Sequence, residues 1–161
     1  MLKQIDLRFL FSYDEKAGIL KWRYPQGNAR IGVPAGNIDK EGYSVISVLG
    51  QKHRLHRVIW VYNFGDIPPT HYVDHINGDK LNNRLANLRL VTSKQSAANR
   101  GTFKSSKTGV RGVCRKGGKY TAQLQRNGVK TNLGVFNTIE EASSAYRVAA
   151  EEYYGEHIRP L

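Results

Sequence analysis

The spacing of apolar residues divides the chain into stretches of different period. Up to residue 50 it reads as short strands separated by turns. Tyr13 to Trp22 predicts a hairpin with Lys16-Ala17-Gly18 at its tip. Pro34-Ala35-Gly36 and Lys40-Glu41-Gly42 are turn signals. Tyr43–Val48 alternates as a half-buried strand does, and Gly50-Gln51 turns the chain into another strand near His53–Leu55. From His56 to Phe64 the period becomes helical, with Val58, Ile59, Val61 and Tyr62 on one side and a stop at Gly65. Tyr72–His75 and Leu88–Val91 read as two strands around a polar loop at 76–86. Thr92 with Gln95 three residues on is a capping box that predicts a short helix from about Ser93 to Arg100.

Gly101 to Lys107 is rich in Ser and Lys and reads as a linker. Beyond it, Val110–Cys114, Tyr120–Gln125 and Lys130–Val135 predict three antiparallel strands, turned by Gly117-Gly118 and Asn127-Gly128. Thr138-x-x-Glu141 is a second capping box. Ala142, Ala145, Tyr146, Ala149, Ala150 and Tyr153 then give an amphipathic helix, ended by Gly155, whose small residues allow close packing on a sheet. The expected class is α+β, with domains at 1–100 and 108–161 joined by 101–107.

Charge sharpens this picture. The chain of 161 residues has net charge +12, from 25 Lys+Arg against 13 Asp+Glu. No Asp or Glu occurs from Lys80 to Ile139, while 13 basic residues do. A solvated surface normally mixes signs, so this bias points to a polyanionic partner. The one cysteine, Cys114, rules out an intrachain disulfide and a thiolate zinc cluster. Asp6 and Arg8 interrupt any apolar leader, and no stretch approaches a membrane span. The expectation is a soluble, intracellular (cytoplasmic) protein with a nucleic-acid partner, no membrane and no obligatory protein partner.

The polar stretch carries candidate chemistry. Val73-Asp74-His75-Ile76-Asn77-Gly78-Asp79 is followed by Asn82-Asn83 and Asn87-Leu88. An ordinary core does not collect such groups, since each needs its own partners. A site that holds one metal ion and activates one water uses this set. Asp74 offers a hard oxygen, His75 can take a proton near neutral pH, and the asparagines brace the loop. As strand neighbours, Asp74 and His75 point to opposite faces, so both reach one site only if the strand twists at its end. His56, at the start of an apolar helix, reads as a structural hydrogen-bonding residue, and His71 as a solvent-facing one.

These residues, with Asn82-Asn83-Arg84, Asn87-Leu88-Arg89 and Val91-Thr92, resemble the HNH endonuclease motif in its phage- and intron-encoded homing form. Tyr13 to Trp22, Val33-Pro34-Ala35-Gly36, Gly42-Tyr43, His56-Arg57 and Asp66-Ile67-Pro68 extend the likeness over roughly 10–100. The resemblance implies a ββα-metal fold, His75 as general base, Asp74 as metal ligand and Asn87 as the residue bracing the loop. It also implies a further ligand, usually Asn, on the following helix, nine residues after Asn87. That position is Ser96 here, a shorter and weaker ligand; Asn99 lies one helical turn on. Either the site is attenuated, or Ser96 or Asn99 serves. The implied cofactor is a divalent cation, magnesium or else manganese.

In the second half, alternation sets basic and amide side chains on one sheet face, with Val110, Ala122, Leu124, Leu133 and Val135 toward the helix. Such a sheet can enter a major groove, where Arg takes guanine, Gln takes adenine and Lys meets phosphate. Arg111, Arg115, Lys116, Lys119, Gln123, Gln125, Arg126 and Lys130 are the candidate DNA contacts. Thr108-Gly109-Val110-Arg111-Gly112-Val113, Tyr120-Thr121-Ala122-Gln123-Leu124, Leu133-Gly134-Val135-Phe136, Glu140-Glu141-Ala142 and Ala145-Tyr146 resemble the Apetala-type (ethylene-response-factor) DNA-binding domain over about 108–156. Tyr120 stands where that family usually has Trp. The combined reading is a DNA endonuclease of phage or mobile-element type, acting in a bacterial host. The alternative is a sequence-specific DNA-binding protein whose nuclease site is weakened at Ser96.

Overall fold

The computed structural model describes residues 2–24, 27, 30–98, 106–126 and 128–155, and divides into two compact units, 1–93 and 94–161. The first unit opens with a helix, α1 (Gln4–Leu10), where strands and turns are expected. Seven residues are too few to nucleate a helix alone. This one is held by burial of Leu7 and by what its polar side chains reach. Gln4 Nε2 donates to the carbonyls of Tyr62 and Asn63, each at 3.1 Å, and Arg8 Nε donates to Tyr62 at 3.0 Å. Those carbonyls belong to the last turn of α2 (Leu55–Phe64), where helical acceptors lack internal partners.

The hairpin of β1 (Phe11–Asp14) and β2 (Ile19–Trp22) follows α1, paired antiparallel. A three-stranded sheet comes next, in the order β3 (Asn37–Ile38), β4 (Ser44–Val48), β5 (Gln51–Arg54). Helix α2 lays Leu55, Val58, Ile59 and Val61 into a core shared with Leu7, Phe11 and Leu20. After α2, β6 (His71–His75) and β7 (Leu88–Thr92) pair antiparallel, His75 opposite Leu88 and Asp74 opposite Arg89. A short 3-10 turn, Leu85–Asn87, leads into β7; α3 (Ser93–Ala98) comes next in the chain, its residues from Lys94 on grouped with the second unit.

The second unit is built from β8 (Val113–Lys116), β9 (Lys119–Arg126), β10 (Val129–Phe136) and α4 (Ile139–Tyr154), with β9 central. Strand β8 starts three residues later than expected. Thr108 Oγ1 accepts from Val110 N at 3.3 Å and donates to Val113 O at 2.8 Å, which holds 108–112 as a turn. Gly112 completes it with φ +70°. A Cβ there would sit 2.1 Å from the Tyr146 ring of α4, so only glycine admits this packing. Thr138 and Glu141 form the capping box reciprocally, and Ala142 and Ala150 are the fully buried residues of α4. Of the expected Asn-Gly turn, Asn127 lies outside the described residues, as do 101–105 of the linker and the expected helix end at Asn99 and Arg100.

Candidate functional site

The site forms where β6 ends. Strand periodicity sends Val73 and His75 to the core side of the β6–β7 hairpin and Tyr72 and Asp74 to the other. His75 is 5% exposed, and Asp74 is only partly buried. Across the hairpin, Arg89 Nη2 lies 3.5 Å from Asp74 Oδ2.

The polar loop after His75 is tied internally by its asparagines. Asn77 N donates to Asn87 Oδ1 at 3.1 Å, Asn87 Nδ2 donates to Asn82 O at 2.8 Å, and Ile76 N donates to Asn87 O at 2.8 Å. Asn77 and Asp79 each accept, through a side-chain oxygen, from the backbone two residues on. The loop is also held by the β1–β2 hairpin. Tyr13 donates to Asn83 O at 3.3 Å, and Arg84 Nε donates to Lys16 O at 2.6 Å. Gly18, at φ +70°, lets the hairpin tip close onto this backbone, since a Cβ would lie 2.5 Å from Arg84 N.

Asn83, read from the sequence only as one of the asparagines bracing the loop, has a more specific place in the structure. It is 2% exposed. Its Nδ2 donates to Leu81 O at 3.1 Å, which turns Oδ1 toward His75 Nε2 at 3.0 Å. An amide oxygen only accepts, so Nε2 carries the proton and Nδ1 carries the lone pair of the neutral ring. The repeated Asn82-Asn83 was the available signal, but spacing alone does not say which asparagine reaches the imidazole.

His56 lies beside the same imidazole. It is 4% exposed and packs edge-on against His75, ring centroids 4.7 Å apart, with Tyr43 at 5.7 Å. The expected hydrogen-bonding role is not what the structure has at Nδ1, which is buried and finds no partner among the described residues. Burial, reinforced by His75, Arg54 and Arg57, lowers the His56 pKa to about 3. Burial also lowers that of His75, against the opposing pull of the Asn83 bond and the Asp74 and Asp79 carboxylates. Both rings are therefore neutral at neutral pH. His71 begins β6, half-buried, with its Nδ1 3.0 Å from Thr70 Oγ1.

Ser96 lies in α3 and is half-buried; Asn99 falls outside the described residues. Among the described residues no three His, Cys, Asp or Glu side chains gather as a metal cage. One partly buried carboxylate still fits a small hard cation. Magnesium keeps several waters and binds through one or two carboxylates together with substrate phosphates. Arg89 beside Asp74 is the opposing feature, since it already balances that charge.

In the second unit, register divides the candidate DNA contacts. Tyr120, Ala122, Leu124 and Arg126 share the face that meets α4, and Lys119, Thr121, Gln123 and Gln125 share the other. Lys116 stands opposite Lys119 and Lys130 opposite Gln125, so Lys116, Lys119, Gln123, Gln125 and Lys130 occupy one outer face. Arg126 does not. It follows Leu124 by two residues, its Nη2 lies 3.5 Å from Ala149 O, and its guanidinium is 5.2 Å from the Tyr153 ring. Arg111 is engaged by the Tyr146 hydroxyl, and Arg115 pairs with Tyr120 at the exposed edge strand. Val135, expected toward the helix, pairs with Thr121 on the outer face and is 59% exposed. A bulge between Asn132 and Gly134 shifts the alternation there.

Residues 53–98, which contain β6, the polar loop, β7 and α3, match the family described as HNH endonuclease. The chain is 40% identical over 124 residues to an uncharacterized HNH endonuclease of Acanthamoeba polyphaga mimivirus, covering 76% of this chain and 64% of that protein. It is 31% identical over 100 residues to Protein 3.8 of Escherichia phage T7, covering 61% of this chain and 83% of that one. A Bacillus subtilis (strain 168) protein, whose name describes an SPbeta prophage-derived HNH homing endonuclease, is 44% identical over 46 residues, or 29% of this chain and 27% of its own length. The chain therefore carries an HNH endonuclease match over 53–98 and is similar to proteins whose names place them in that family. It spans less than two thirds of the mimivirus protein's length. Among the described residues no helix is long and apolar enough to cross a membrane.

Proposed function

We propose that this chain hydrolyses a phosphodiester bond of double-stranded DNA, using one divalent metal ion in a ββα-metal unit. The observation that carries this reading is the Asn83–His75 bond, which leaves a neutral buried imidazole with its basic lone pair on Nδ1. Nδ1 takes the proton of the attacking water, and Asn83 keeps its bond to Nε2–H as the ring becomes cationic. Asn87 holds the loop that carries Asn83, so the ring does not turn away. Asp74 would hold the ion, with Ser96 or Asn99 as the further ligand. Bound there, magnesium or manganese supplies stabilisation of charge at the phosphate and on the leaving 3′-oxygen.

The second unit serves in this reading as an Apetala-type reader. Lys116, Lys119 and Lys130 meet phosphates, and Gln123 and Gln125 reach base edges in the major groove. Arg126 has no part in it, and Arg111 and Arg115 are not on that face. A second reading, a DNA-binding protein with a weakened nuclease site, is favoured by Ser96, whose hydroxyl is a short and weak ligand.

Magnesium-dependent cleavage of supercoiled plasmid separates the two. Cutting by the native chain and not by His75→Ala supports the nuclease. Cutting only after Ser96→Asn supports the second reading. No cutting by either, with DNA bound, removes the catalytic assignment.

A further inference from the structure

Two cations of the first unit meet on one aromatic ring beside its site. Arg54 lies between β5 and α2, and its guanidinium carbon is 3.9 Å from the centre of the Tyr43 ring. Lys80 comes from the polar loop, and its Nζ is 4.3 Å from the same ring. Tyr43 in turn lies 6.4 Å from the His75 ring, centre to centre. Both charges are therefore within about 11 Å of His75, a span of about three phosphates at one per ~3.4 Å of rise on a strand.

We infer that Arg54 and Lys80, held on Tyr43, form a clamp for the backbone phosphates flanking the bond presented to His75. This inference rests on the nuclease reading above for what it flanks, and on charge and geometry for what it binds. Tyr43 fixes the two flexible side chains before DNA arrives, which reduces the ordering needed on binding. Lys80 also donates to Glu41 O at 2.8 Å. Nearby carboxylates include Asp39, Asp79 and Glu41. Asp39 accepts from the backbone of Glu41 and Tyr43, and Asp79 from that of Leu81. Glu41 alone of these three pairs with a clamp cation, Arg54, at 2.8 Å. That pair is solvent-exposed, with side chains 44% and 55% accessible, so a phosphate competes for the guanidinium. Glu41 is then a stand-in anion that DNA must displace.

The test uses the full chain and a labelled duplex, with affinity measured across a salt series without divalent metal and cleavage measured with magnesium. Arg54→Gln/Lys80→Gln should lower the slope of log affinity against log salt by about 1.8, at ~0.9 per phosphate contact, and raise KM with kcat unchanged. The charge-keeping Arg54→Lys/Lys80→Arg should retain the slope, which separates a lost contact from a lost fold. Glu41→Gln should tighten binding several-fold; a merely structural Arg54–Glu41 pair would not do this. Lys3→Gln, on an exposed residue at the start of α1, controls for net charge. A slope for Arg54→Gln/Lys80→Gln equal to that of Lys3→Gln overturns the clamp, even if the protein cuts. A reduced slope in a chain that cuts nothing upholds the clamp and removes the nuclease reading instead.

Discussion

At the scale of single residues, one hydrogen bond decides what His75 can do. Asn83 sets the tautomer by accepting from Nε2, so losing that acceptor frees the ring to rotate or to exchange its proton. His75→Ala is expected to reduce plasmid cleavage by 10²-fold or more and to leave duplex affinity within about twofold. Equal loss of both in a filter-binding and cleavage comparison would make His75 structural. Asn83→Ala should lower kcat by roughly 10²-fold through misplacement of the ring. Asn83→Asp, which still presents an accepting oxygen, should recover part of it; a variant as slow as Asn83→Ala would mean that the bond has no catalytic part. The chain advertised Asp74, His75 and Asn87 as chemistry-bearing. It did not show that Asn83 faces His75, because that depends on how the loop is folded back by Asn87 and pinned by Arg84 and Tyr13.

At the scale of elements, the packing of α2 against the site has a measurable consequence. His56 is buried neutral, with its pKa held at about 3 against an ordinary value near 6.5. The unfolded chain therefore binds a proton between pH 6.5 and 3 that the folded chain excludes, and stability falls as pH drops through that window. Between pH 7 and pH 4.5 this amounts to roughly 2–3 kcal/mol. Urea unfolding at the two pH values should show a smaller drop for His56→Phe than for the native chain, and equal drops would refute the assignment. In the second unit, Gly112→Ala forces a Cβ into the Tyr146 ring at a positive φ. The expected cost is about 1–3 kcal/mol, read as a lower thermal midpoint. Most strands, α2 and α4 were legible from period and caps. Helix α1 was not, since Gln4 and Arg8 act on carbonyls more than fifty residues away. The face of Val135 was not either, because a bulge shifts alternation without any mark in composition.

At the scale of the whole molecule, the +12 charge and the acid-free stretch from Lys80 to Ile139 make salt the natural probe. Duplex affinity should fall steeply between 50 and 200 mM salt, by 10²-fold or more for a protein contacting several phosphates. A flat response would count against DNA as the partner of either unit. If the outer face of β9 reads sequence, Gln123→Ala should cost about 1–3 kcal/mol on its preferred site and little on random duplex. Equal losses on both would make that face a phosphate contact only.

What the sequence by itself determined was local: the period of each segment, the caps and turns of α4, the clustering of one carboxylate, one imidazole and several asparagines, and the sign of the charge. Each depends on residues near one another in the chain. The tertiary structure decided which asparagine holds His75, that His56 packs on the same ring, that Arg54 and Lys80 meet on Tyr43, and that Arg126 points to the helix. These depend on contacts between distant segments and on strand register, where a shift of one residue exchanges the two faces.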